Sequence, residues 1–97
     1  MEITEVKVYP AKEKNGRLKA YATVVFDNSF IVRDLKIIEG SKGLFVSMPS
    51  RRRKDGTFRD IVHPLNPETR KKFDAIIEEY ERVLATGEHY GSAEEEE

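Results

Sequence analysis

The sequence predicts an α+β fold: an antiparallel β-meander of about four to five strands with a C-terminal α-helix packed on it, then a disordered acidic tail. Three observations predict it. Leu18, Ala20, Ala22, Val24 and Phe26 keep a period of two, as in a long strand with one continuous apolar face. Asn15-Gly16 and Asp27-Asn28-Ser29 bracket that strand as turn signals, so its neighbours fold back on it. Phe73, Ile76, Ile77, Tyr80 and Leu84 fall instead at spacings of three, one, three and four, the stripe of an amphipathic helix.

The elements follow in order. Residues 3 to 9 alternate and stop at Pro10, which cannot donate to a ladder, and read as the first strand. The second runs from Leu18 to Phe26, where Ala at two inward positions leaves room for a bulky element lying across the sheet. Phe30 to Arg33 opens a third strand, which Leu35 to Ile38 continues past a bend. Glu39 to Gly43 reads as a loop, and Leu44 to Met48 as a fourth strand ended by Pro49. Ser50 to Thr57 reads as a polar loop returning at Asp55-Gly56, and Phe58 to Val62 as a short fifth strand. Asn66-Pro67-Glu68 starts the helix, because Asn caps free amides, Pro suits the first helical position and an acid suits the positive end of the dipole. The helix is expected to run to about Leu84, with Gly87 placed to cap it.

Length and composition narrow the class. Ninety-seven residues make one small domain, expected over 1–84, with a tail over 85–97. No apolar run exceeds three residues, so no bilayer span or secretory core is expected, and the chain reads as cytoplasmic. With no Cys, neither a disulfide framework nor a thiolate metal site is available.

The formal charge of −1 averages two opposites. Residues 85–97 hold five acids and no base, whereas 41–72 hold nine bases against three acids, a net +6. A polyanion is expected to dock on that basic third. The tail has too little apolar surface to offset the entropy of ordering it and reads as a solubilising segment, with folding back onto the basic stretch as the sharper alternative.

Catalytic and metal chemistry finds little support. The two His residues, His63 at a strand end and His89 in the tail, have no convergent ligands nearby in sequence, and His63 reads as a turn residue with a satisfied ring. Glu78, Glu79 and Glu81 read as a solvated helix face. Gly40 and Gly43 lack the spacing of a phosphate loop, and Met48-Pro49-Ser50 offers no activated nucleophile. No enzyme activity, cofactor, metal or small-molecule substrate is expected.

Arg51-Arg52-Arg53-Lys54 is different. Four consecutive like charges repel one another without serving packing, and Arg presents a planar fork that fits phosphate oxygens and guanine edges. A solvated loop that guards a sheet edge is the plainer alternative. Arg70, Lys71 and Lys72 form a second cluster in the first helical turns, where the helix dipole disfavours cations. Phe45 and Phe58 lie near these bases, but alternation assigns both to the core rather than to base stacking.

The ordered run Phe30-Ile31-Val32-Arg33-Asp34, Gly43-Leu44-Phe45-Val46-Ser47-Met48-Pro49-Ser50 and Asp55-Gly56-Thr57-Phe58-Arg59-Asp60-Ile61-Val62-His63-Pro64-Leu65-Asn66 resembles the stage V sporulation protein G (SpoVG) family of septation regulators, over roughly residues 1–84. That resemblance implies a homodimer that binds DNA, and in some members RNA, and regulates gene expression, septation or sporulation. The family loop often carries two bases and then Thr-Pro before Asp-Gly, whereas here four bases run directly into Asp55-Gly56. Nucleic-acid contacts are therefore expected first at Arg51, Arg52, Arg53 and Lys54 and second at Arg70, Lys71 and Lys72. The rival expectation is an interaction adaptor whose basic loop docks an acidic protein.

Overall fold

A computed structural model describes residues 1–12 and 16–87. The Lys14-Asn15 half of the first turn, His89 and the acidic tail from Glu88 onward lie outside the described residues.

The expected meander is present. Strands β1 (Ile3–Pro10), β2 (Leu18–Phe26), β3 (Phe30–Gly40) and β4 (Gly43–Ser47) form one antiparallel sheet in sequential order. Two short strands, β5 (Ser50–Arg52) and β6 (Phe58–Asp60), form a separate two-stranded ribbon. Helices α1 (Pro67–Lys72) and α2 (Asp74–Thr86) follow.

The apolar face of β2 is the floor of the core: Ala20, Ala22, Val24 and Phe26 are buried together with Val8 of β1, Val32, Leu35 and Ile37 of β3, and Val46 of β4. Helix α2 lies over this face, touching β1, β2 and β4. Ala20 and Ala22, both fully covered, are the small residues that admit it. Phe73 meets Phe26 edge to face, with ring centroids 5.8 Å apart.

Local conformations shape the expected bend and turn and account for one departure from the expected elements. The bend in β3 is a β-bulge: Val24 pairs with Val32 and Ala22 with Leu35, so one extra residue is accommodated on β3, and Asp34 sits there at φ 63°. The strand also continues through Glu39 to Gly40, which pairs with Gly43, so the expected five-residue loop is a tight Ser41-Lys42 turn. Asp27 and Asn28 both adopt positive φ, as short polar side chains tolerate, and the Ser29 amide closes the turn on the Phe26 carbonyl at 2.9 Å. Because a left-handed backbone costs a side chain bearing Cβ about 1 kcal/mol or more and Gly escapes that cost, Asp34→Gly is expected to be more stable than Asp34→Ala by about 1 kcal/mol. Urea unfolding of the two variants checks the difference.

The single expected helix is two. Asn66 caps α1, its side chain accepting from the Thr69 amide at 2.8 Å, but the Phe73 amide donates to Arg70 only three residues back, and the Ile76 amide to Phe73 likewise. This tightened turn at Phe73 separates α1 from α2. The apolar stripe also shifts: Val83 is 3% exposed and Leu84 59%. At about 100° per residue, Val83 lies about 20° from Ile76 around the helix and Leu84 about 80° away, so Val83 completes the core stripe. Gly87, at φ 77°, ends α2 with its amide on the Val83 carbonyl at 2.8 Å.

Candidate nucleic-acid interface

The basic segment leaves the body at Pro49, whose carbonyl accepts the Ile61 amide at 2.7 Å, and forms the β5–β6 ribbon beyond that bond. Ser50 pairs with Asp60, Arg51 with Arg59 and Arg52 with Phe58, and all six residues are exposed. Arg51 and Arg52 therefore belong to a strand and not to the expected loop, while Arg53 and Lys54 open the turn. The fifth strand expected over Phe58 to Val62 is the sixth, and it ends at Asp60.

The turn is closed by its own side chains. The Arg53 amide donates to the Thr57 carbonyl at 2.6 Å and the Gly56 amide to the Arg53 carbonyl at 3.0 Å, with Gly56 at φ 89°. Asp55 Oδ1 accepts the Thr57 hydroxyl at 2.6 Å and the Thr57 amide at 3.0 Å, and these two donors hold the Asp55 carboxyl below its ordinary value. The carboxylate is thus engaged in the turn, and the Arg and Lys side chains around it stand at a fixed tip.

Register adds a residue that sequence reasoning did not place in the site. Arg59 sits directly across from Arg51, and like charges opposite one another destabilise a ladder. Counting outward from Asp55-Gly56 pairs Arg59 with Arg52 instead; the turn holds three residues, Lys54 to Gly56, between Arg53 and Thr57, and this shifts the register by one. An open groove of about 420 Å³ runs along Arg51–Lys54 and Arg59–Ile61. Five cations therefore share the ribbon: Arg51, Arg52, Arg53, Lys54 and Arg59.

The second cluster is partly consumed by the fold. Arg70 donates from Nη2 to the Val46 carbonyl at 3.2 Å, and Lys72 Nζ donates to the Met1 carbonyl at 2.6 Å and lies 3.4 Å from Glu2 Oε2. Lys71 is exposed, and no contact of this kind involves it among the described residues. Because α1 ends at Lys72, all three bases stand in its last turn, where the dipole favours cations, and not near the positive end of a long helix. The electrostatic penalty expected from sequence is therefore absent.

Two aromatic expectations are also overturned. Phe45 is 43% exposed and Phe58 69% exposed. Alternation on β4 does bury Val46, but it turns Phe45 to the sheet face that α2 does not cover; Phe58 stands on a ribbon with no second layer. His63 Nδ1 lies 3.1 Å from Asp60 Oδ2, a local turn contact. Among the described residues no group of three or more His, Asp or Glu could hold a metal ion, and no helix is long and apolar enough to cross a membrane.

Comparison with known proteins decides the family: the SpoVG family matches residues 1–82. The chain belongs to the SpoVG family. It is 57% identical over 88 residues to a protein of Anaeromyxobacter sp. (strain Fw109-5) named "Putative septation protein SpoVG", covering 90% of this chain and 89% of that one. Proteins of the same name from Bdellovibrio bacteriovorus and Archaeoglobus fulgidus are 60% and 57% identical, covering 87% and 82% of this chain and 77% and 94% of theirs. All three relatives carry a name that assigns them to septation. The matched span takes in the whole sheet, the ribbon and both basic clusters.

Proposed function

We propose that this SpoVG-family protein is a dimeric, cytoplasmic nucleic-acid-binding regulator of gene expression, septation or sporulation. It grips phosphates, and base edges within reach, through the β5–β6 ribbon. The observation that carries this reading is the Arg51–Arg59 pair: two guanidinium groups held opposite each other on an exposed ladder, flanked by Arg52, Arg53 and Lys54. Such a pair opposes the pairing it sits on. A phosphate placed between the two forks turns that repulsion into attraction and accepts bidentate hydrogen bonds from each. Lys71 adds one further cation, with Arg70 and Lys72 contributing chiefly through their ties to the body.

The same geometry supports dimerisation. An isolated two-stranded ribbon is marginal in water, and the main sheet leaves β1 and β4 as open edges. A second copy about a two-fold axis would support one of these and set two ribbons on one particle.

Fluorescence anisotropy with duplex DNA over a salt series tests the proposal. Five cations per ribbon predict a slope of log affinity against log salt of about −4.5 for one ribbon and about −9 for two. A steep slope near the larger value supports two ribbons acting together. Absence of binding at low salt to duplex DNA, single-stranded DNA and RNA alike refutes the reading.

A further inference from the structure

Phe58 is an aromatic ring that the fold does not use. It is 69% exposed and belongs to no core cluster. Its cross-strand partner is Arg52, and directly opposed residues of an antiparallel pair project from the same face. A phenyl ring and a guanidinium therefore stand side by side on one face of the ribbon, with Arg51 and Arg59 on the other. The turn fixed by Asp55, Gly56 and Thr57 sits immediately beyond, so this pair is carried on a built tip and not on a slack loop.

From this arrangement we infer that Phe58 is a stacking platform for an unpaired nucleobase, with Arg52 beside it, so that the ribbon reads single-stranded DNA or RNA and not only duplex. The inference rests on the nucleic-acid reading above and names the form of nucleic acid the site prefers. The chemistry is specific to unpaired bases. A base in a duplex already has both faces covered by its neighbours, whereas an unpaired base can lay its π-face on an exposed ring while cations track its phosphates. Arg52 can cover a neighbouring base face, because a guanidinium is planar and stacks on aromatic systems. A purely electrostatic ribbon would need neither the ring nor its placement opposite a guanidinium.

The test compares oligothymidylate, oligouridylate and a dumbbell duplex closed at both ends, which offers no exposed terminal base pair. Phe58→Ala is expected to weaken binding to both single strands by about 5- to 150-fold, the loss of one base stack at tenfold per 1.4 kcal/mol. Duplex affinity is expected to change less than about twofold, and the salt slope to stay constant, because no phosphate contact is lost. The chain has no Trp, so Phe58→Trp supplies a single indole at the site. Its emission is expected to be quenched by either single strand and not by the dumbbell. Equal losses on all three ligands, or unchanged single-strand binding with an unquenched indole, overturn the stacking role. If the wild type binds the three ligands and Phe58→Ala binds them as tightly as the wild type does, the stacking inference falls and the regulator reading stands. If the wild type binds none of them, both fall.

Discussion

Replacing Arg51, Arg52 and Arg53 together by Ala flattens the salt dependence of duplex binding by about 2.7 for each ribbon engaged, at about 0.9 per phosphate contact. Near 0.1 M salt the same counterion argument makes this a loss of affinity on the order of 10²- to 10³-fold per ribbon. The melting temperature holds or rises slightly, because removing Arg51 relieves its repulsion with Arg59 and none of the three side chains is buried. Anisotropy titration at several salt concentrations, with a thermal melt on the same sample, reads both effects. Unchanged affinity would remove the ribbon from the interface. Lys71→Ala makes the internal comparison, since a single exposed cation is worth at most one phosphate contact. Arg70→Ala is expected to act on stability instead, because its guanidinium is bonded to the Val46 carbonyl.

This separation between the ribbon and the helix start was only partly legible in the sequence. The bases themselves were plain, and so were the strands and the Asn66 cap, because period-two alternation and short-range capping chemistry are local properties. Local patterns fail where a residue's fate depends on what lies across from it. Period two put Phe45 and Phe58 on alternating faces but does not say which faces a second layer covers, and neither is covered. The run of four bases read as a loop because its partner strand carries little apolar alternation of its own, yet Arg51 and Arg52 form a ladder with Phe58 and Arg59. The helix read as continuous because Phe73 fits a helical stripe; the tightened turn there leaves its ring against Phe26, which no spacing rule reports. That same break moved Arg70 to Lys72 from an unfavourable position on the dipole to a favourable one.

Ile76→Ala is the substitution expected to cost the fold most. Ile76 is fully buried on α2, in the cluster formed with Val8, Ala22, Leu35 and Ile37. Removing its branched side chain from a close-packed site forfeits both transfer energy and contacts, about 2–5 kcal/mol. A small domain holds only about 5–15 kcal/mol in all. At about 4–8 °C per kcal/mol for a domain of this size, the midpoint falls by about 10–40 °C. Circular dichroism with chemical denaturation measures it, and an unchanged denaturant slope would show that the loss is one of stability alone. Leu84→Ala, at a position on the same helix that is largely in water, is expected to stay within about 0.5 kcal/mol of the wild type. If the two variants lost similar stability, the helix would present the face that sequence spacing suggested and not the one ending at Val83. Because no strand residue of the ribbon belongs to the core, the folded fraction of Ile76→Ala is expected to bind nucleic acid as the wild type does. Stability and binding then vary independently, the core through α2 and the interface through the ribbon that departs at Pro49.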